Sequence, residues 1–242
     1  MKISLDSGHG LSTAGKRTPD GMREWSFNSV VSSYLANELK GYVDVSTIRV
    51  DDVTGKTDVP LSTRTTKANK WGADAYISVH ANAYGSGGWN NTSGIETFTY
   101  PTASRESFVL AKLVQDELVK ATKRNDRGIK TANFHVLRES RMPAILVECG
   151  FMTNKEEAAL LKSDSYRKTC AHAIVKGLAD MYGLKKKEVV KVAEDENVSS
   201  WAYDAQQWVK EQGISNGADP KKPATREQVW TMLYNAAGNP KV

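Results

Sequence analysis

A largely parallel, twisted α/β sheet flanked by helices, followed by a small helical C-terminal module, is predicted from three features of the chain. Strand-length apolar runs alternate with helix-period segments through residues 1–183. One of these runs, Ala144-Ile-Leu-Val147, is apolar throughout, as in a strand buried on both faces. Beyond Gly183 the pattern changes to a charged stretch and then two short helical repeats of apolar residues.

Taken in order, residues 2–7 read as a strand ending at Gly8-His9-Gly10, where flanking glycines permit a sharp turn. Open α/β sheets build their sites at that carboxyl edge. A loop rich in Gly, Thr, Pro and Asp follows to about Met22. From residue 24 to 40, Phe27, Val30, Val31, Tyr34, Leu35 and Leu39 keep helical spacing. Glu24 falls in the first turn, where the helix dipole favours a carboxylate. Residues 43–50 read as a strand and 62–70 as a polar helix ending at Trp71-Gly72. Residues 75–79 form a buried strand with His80-Ala-Asn82 at its end. Gly85-Ser-Gly-Gly88 is a loop, and residues 95–100 alternate as a strand. Ser104 N-caps a helix carrying Phe108, Ala111, Val114 and Leu118. A basic turn at 123–130 precedes a strand predicted at 134–137, and Pro143 opens the strand that carries Glu148. Asn154 and Glu157 have the spacing of a capping box. An amphipathic helix with Tyr166, Ile174, Val175, Leu178 and Met181 ends at Gly183.

The predicted divisions are an α/β domain at 1–183, a charged linker at 184–197 and a helical module at 198–242. Within the module, helical patterns span 201–212 and 225–237, with turns at Gly213 and Gly217. Trp201, Trp208 and Trp230 keep helical spacing and read as packing residues. So small a segment has little core of its own. It is expected to lean on the main domain, on a second copy in a dimer, or on a ligand.

The 242 residues, 40% hydrophobic and 25% charged, are globular in composition and enough to bury a real core. No apolar run approaches the roughly 20 residues of a bilayer span, so membrane insertion is not expected. The N-terminus enters a strand pattern directly, without an apolar leader core or a small-residue cleavage site. The expectation is a protein made in the cytoplasm without a signal peptide. Most of the net charge of +5 lies in residues 1–183, which suits polyanions such as anionic wall polymers. There is no basic stripe, and nucleic acid is not an expected partner. Cys149 and Cys170 read as small buried hydrophobes rather than redox or metal groups.

Glu148 is the residue that most needs explaining. A carboxylate at the end of a buried strand is costly, so either a cation sits beside it or it is a catalytic carboxyl with a raised pKa. His9, Glu24 and His80 stand at the same sheet edge. Two imidazoles and a carboxylate suit a catalytic zinc site with a fourth position for water. Spacing alone is weak support, because nothing here matches a compact His-Glu-x-x-His helix. Convergence at one sheet edge carries the hypothesis.

Several motifs point the same way: Asp6-Ser-Gly-His9-Gly10, Glu24-x-x-x-Asn28, Ser62-x-Arg64 with Ala68-Asn69, Ser78-Val-His80-Ala-Asn82, and Pro143-Ala-Ile-Leu-Val-Glu148-Cys-Gly-Phe151-Met-Thr-Asn154. In this order they resemble the zinc-dependent N-acetylmuramoyl-L-alanine amidases of the type 3 family, over about residues 1–183. The resemblance implies one Zn2+ held by His9, Glu24 and His80, with Glu148 as the catalytic glutamate. It implies peptidoglycan as substrate, cut between the lactyl group of N-acetylmuramic acid and L-alanine. Some members of that family carry a blocking helix after the second zinc histidine. Here residues 84–93 form only a short loop, so a constitutively active enzyme is expected. His135 has no place in the shared motifs and reads as a rim residue or a substrate contact. Arg64 and Arg138 read as ion-pair residues or as contacts to stem-peptide carboxylates. The C-terminal segment resembles one S-layer-homology repeat, through Trp201-Ala-x-x-Ala205, Gly213-Ile-x-x-Gly217 and Pro223-Ala-Thr-Arg226-Glu227. That resemblance implies attachment to secondary wall carbohydrate. The functional expectation is an endolysin that acts on the wall after release. A sporulation or mother-cell-lysis amidase, a zinc carboxypeptidase or deacetylase, and a non-catalytic wall binder with structural zinc are the alternatives.

Overall fold

The computed structural model describes residues 1–187, 199, 202–211, 214 and 223–236. The chain divides into two compact units, Met1–Lys187 and Glu188–Val242. The first unit contains a six-stranded sheet. In chain order its elements are β1 (Lys2–Ser7), α1 (Glu24–Leu39), β2 (Ser46–Arg49), α2 (Leu61–Trp71), β3 (Ala75–Asn82), β4 (Ile95–Thr99), α3 (Arg105–Thr122), β5 (Asp126–Thr131), α4 (His135–Arg138), β6 (Ala144–Phe151), α5 (Lys155–Lys162) and α6 (Asp164–Tyr182). The strand order is β2-β1-β3-β6-β4-β5. All pairings are parallel except β4 with β6, which is antiparallel. The predicted layered α/β architecture is present.

Side chains alternate between the two faces of each strand. Ile3, Leu5, Ile77, Val79, Ile145, Val147 and Cys149 enter the larger core, shared with α1, α3 and α6. The other face carries Tyr76, Ala144 and Leu146, covered by Ala68 of α2 and by Val136 and Leu137 of α4. His80 and Glu148 continue this second series. They are register partners on adjacent strands, placed just past the short helices that cover it. The period of two therefore separates Glu148 from Cys149. It sends the carboxylate to the thinly covered face and the thiol into the core. Both cysteines are free and buried.

Two local expectations change. The fifth strand is Asp126–Thr131, not residues 134–137, where α4 makes a single helical turn. As a sheet edge, β5 exposes polar and charged residues and so carries no apolar signal. The apolar pair Val136 and Leu137 buries as a helical plug instead. The capping box is half formed. Asn154 Oδ1 accepts from Glu157 N at 3.1 Å, but the Glu157 carboxylate turns to Phe151 N and Gly94 N at 2.7 and 2.9 Å. Ser104 caps α3 as expected.

Past Gly183, Val43 N donates to Lys185 O and Lys187 N to Gly41 O, so residues 184–187 are tied to the first unit. In the second unit α7 (Tyr203–Glu211) and α8 (Arg226–Ala236) occupy the two predicted helical patterns. Thr225 and Gln228 cap α8 reciprocally. Trp201, Gly213, Gly217 and most of the predicted linker lie outside the described residues. The expectation that the aromatics pack inward does not hold for two of them. Trp208 is 54% exposed and Trp230 62%, because so short a segment offers little interior to receive them.

Candidate active site

The site is assembled from three parts of the chain. His9 follows β1, Glu24 is the first residue of α1, and His80 lies near the end of β3. His9 Nε2 is 3.2 Å from Glu24 Oε2, and His80 Nδ1 is 2.9 Å from Glu24 Oε1. The two rings stand edge to face with centroids 5.0 Å apart. One ligand atom from each of the three residues fits within a 4.8 Å span. Burial pushes the Glu24 carboxyl up, but its hydrogen bonds and charge pairing with His80 and His9 outweigh that and hold it well below the usual range. Burial pushes His80 down, and the Glu24 carboxylate reverses the shift to a net rise.

The Gly-His-Gly turn works differently from its sequence reading. The left-handed residue is His9 itself, at φ 66°, and neither flanking glycine has a positive φ. Gly8 is needed for close approach instead. A Cβ there would lie 2.0 Å from His80 Cε1. Gly8→Ala must therefore displace the His80 ring. Divalent-metal affinity should fall about 10–100-fold, as read in a competition titration against a chromogenic chelator. Wild-type affinity in this variant would show that the ring can hold its place without the glycine.

Glu148 lies beside His80 in the sheet register and lines the same cavity. Its Oε2 is buried and has no hydrogen-bond partner among the described residues. Burial, reinforced by the carboxylates of Glu24 and Glu96 against the opposing pull of His80, lifts its pKa to about 8. The cavity, about 440 Å³, runs from His9, His80 and Glu148 toward Phe134, His135 and Val136. His135 is thus at the rim, its Nε2 3.4 Å from Thr65 Oγ1. Arg138 is paired with Glu139 at 2.8 Å. Arg64 is fully buried and paired with Asp6 at 2.6 Å, so it is a structural ion-pair residue.

Asp6, Asn28 and Ser78 stood in the quoted motifs without a role, and the Glu96 cluster escaped the sequence reading. Asn28, one turn along α1 from Glu24, donates to Glu24 Oε1 at 3.2 Å and to Gly8 O at 3.0 Å. Its i, i+4 spacing was the available signal. Ser78 Oγ donates to Asp6 Oδ2 at 2.8 Å. Glu96 is the register partner of Glu148 on the opposite side from His80, and Arg127 neutralises it at 2.8 Å, together with Lys130. Polar alternation on β4 beside the basic turn was the clue to that cluster.

The donor set fits a divalent cation. A tetrahedral zinc with bonds of roughly 2.0–2.1 Å holds its donors about 3.3–3.4 Å apart, close to the separations of the facing imidazole and carboxylate atoms. Three donors sharing a cavity with a buried carboxyl suit a hydrolytic rather than a closed structural site.

Known proteins of similar sequence and fold identify the family. The sporulation-specific N-acetylmuramoyl-L-alanine amidase of Bacillus subtilis (strain 168) is 36% identical over 190 residues, 77% of this chain and 70% of that protein. The endolysin of Bacillus phage SPP1 is 35% identical over 192 residues, 76% of this chain and 67% of that one. The crystal structure of an N-acetylmuramoyl-L-alanine amidase from Clostridium difficile 630 superposes with a TM-score of 0.69 at 36% identity, covering 74% of this chain and 95% of that one. With the family described as N-acetylmuramoyl-L-alanine amidase (Amidase_3) matching residues 3–180, the chain belongs to that family of peptidoglycan amidases.

Proposed function

We propose that the chain is a zinc-dependent endolysin that cleaves the amide between N-acetylmuramic acid and the L-alanine of the stem peptide. The observation that carries the reading is the convergence of His9, Glu24 and His80 beside a buried, unpartnered Glu148 oxygen. His9, Glu24 and His80 would hold the zinc. When bound, zinc supplies Lewis acidity toward a carbonyl oxygen and lowers the pKa of water toward ~7. Glu148 takes a proton from water as the water oxygen attacks the amide carbon. The same carboxyl then returns that proton to the leaving nitrogen as the C–N bond breaks. The products are a lactyl carboxylate on the glycan and a free L-alanine amine on the stem.

Digesting purified walls and identifying the new termini by mass spectrometry tests the bond. Free L-alanine N-termini with intact glycan strands are expected, whereas released D-alanine or acetate would sink the assignment. Chelation should abolish lysis and lower the Tm, since a ligand bound only to the folded state stabilises it, and stoichiometric zinc should restore both. Full activity in metal-free protein would exclude the zinc proposal.

The 35% identity to a phage endolysin supports the lysis role, and the 36% identity to a sporulation amidase supports the alternative. Accumulation on prophage induction, as against accumulation during sporulation, separates the two. For the C-terminal unit we propose attachment to wall carbohydrate through exposed aromatics such as Trp208 and Trp230. A dimer through this unit is a further proposal, checked by sedimentation.

A further inference from the structure

A second concavity, about 770 Å³, lies beside the catalytic cavity. It is bounded by the loop after β1, the loop after β3, and Thr153 beyond β6. The two concavities share a wall. Lys16 lines the catalytic cavity, while its chain neighbours Gly15 and Arg17 line the groove. A substrate reaching across that wall would place one group in each.

The linings differ in chemistry. The catalytic cavity has apolar walls from Val59, Leu61, Phe134, Val136 and Leu146; of its polar members, Asp6 and Asp58 are paired with Arg64, and Lys16 and His135 lie outside both that cluster and the His9, His80 and Glu148 group. This suits a small methyl-bearing residue followed by an anionic group. The groove presents the hydroxyl residues Thr18, Ser86 and Thr153, one cation in Arg17, one anion in Asp20, and glycine backbone. It is polar and close to neutral, which suits a hydroxyl- and acetamide-bearing sugar. The glycine loop is also bracketed by aromatics. Tyr84 is 62% exposed and Trp89 39%. Sugar C–H faces pack on such rings. Thr153 anchors the loop, with Tyr84 N donating to its Oγ1 at 3.0 Å and Asn90 N to its carbonyl at 2.8 Å. Asn90 Nδ2 closes the loop onto Tyr84 O at 2.8 Å. The aromatics therefore sit on a braced platform.

We propose that this groove, with Tyr84 and Trp89, is the subsite for the glycan strand of the wall polymer, and that the stem peptide occupies the catalytic cavity. The assignment rests on the amidase reading above. Kinetics on two substrates tests it: glycan oligomers carrying stem peptides, and the single-sugar fragment N-acetylmuramoyl-L-alanyl-D-isoglutamine. Tyr84→Ala and Trp89→Ala should each cost about 5–10-fold more in kcat/KM on the oligomer than on the fragment. Equal losses on both substrates would overturn the glycan assignment while leaving the amidase reading in place. Wild-type inactivity on both would overturn the amidase reading and this proposal with it. A direct measurement accompanies the kinetics. In full-length Glu148→Gln protein, titration with an N-acetylglucosamine tetramer should move the Trp89 indole N–H resonance saturably, with the signal assigned by its loss in Trp89→Phe. A stationary Trp89 signal while other indoles shift would place the sugar elsewhere and refute the subsite.

Discussion

Glu148→Gln is expected to lower kcat on purified walls by about 10²–10⁴-fold while leaving the metal content at one equivalent. Glutamine keeps the side chain's volume but can neither accept the proton from water nor return it. Because Glu148 stands beside the His9, Glu24 and His80 group without belonging to it, the metal should remain. Loss of metal in this variant would reassign Glu148 as a ligand, and unaltered lysis would refute its role altogether. Chelated protein gives an independent readout. Burial raises the Glu148 pKa to about 8 in the folded chain, against an ordinary carboxyl value near 4.5. Between those values the folded state binds more protons than the unfolded state, so this group makes stability fall as pH rises. The Tm of chelated wild-type protein relative to Glu148→Gln should therefore decline from pH 5 to pH 8. A gap constant across that range would show that Glu148 is not held protonated by its surroundings.

Much of this site was legible because two periodicities meet at it. Alternation on Ala144–Phe151 separates Glu148 from Cys149, and the same alternation on β3 puts His80 beside Tyr76 and Ser78. Glycine next to His9 was read as permitting a sharp backbone turn, whereas the constraint at Gly8 is a neighbouring ring. That ring belongs to His80, a contact between residues 72 positions apart. Elements that were hard to read lacked an apolar signal or carried a misleading one. The edge strand β5 is polar because one of its sides faces solvent, and the Phe134–Leu137 segment is apolar because a single helical turn plugs the sheet. The antiparallel insertion of β4 between β6 and β5 leaves no mark in local periodicity, because β-strand alternation is the same in both directions.

Arg64→Met is expected to cost the catalytic domain about 3–5 kcal/mol, a drop of very roughly 6–20 °C in Tm. Arg64 is 1% exposed, and every one of its nitrogens is engaged. Nη1 donates to Asp6 Oδ1 and Ser7 O, both at 2.6 Å, and Nη2 to His9 O and Asp58 Oδ1, both at 3.0 Å. Nε donates to Val59 O at 2.8 Å. Methionine fills a comparable volume but leaves Asp6, itself 1% exposed, as a buried charge that keeps the Ser78 hydroxyl and loses its guanidinium partner. The unpaired carboxylate, rather than lost packing, should dominate the cost. Adding Asp6→Asn should therefore recover part of the Tm, and a double variant no more stable than Arg64→Met would shift the cause to packing. Arg64→Lys should rescue poorly, because one ammonium cannot replace a planar fork bonded to two carboxylates and three carbonyls. The same fork ties down the His9 carbonyl, at a residue held in the left-handed region. Metal affinity should accordingly fall with stability, even at temperatures where the variant is fully folded. A variant that melts early but binds metal as tightly as wild type would separate the two roles and leave Arg64 with stability alone.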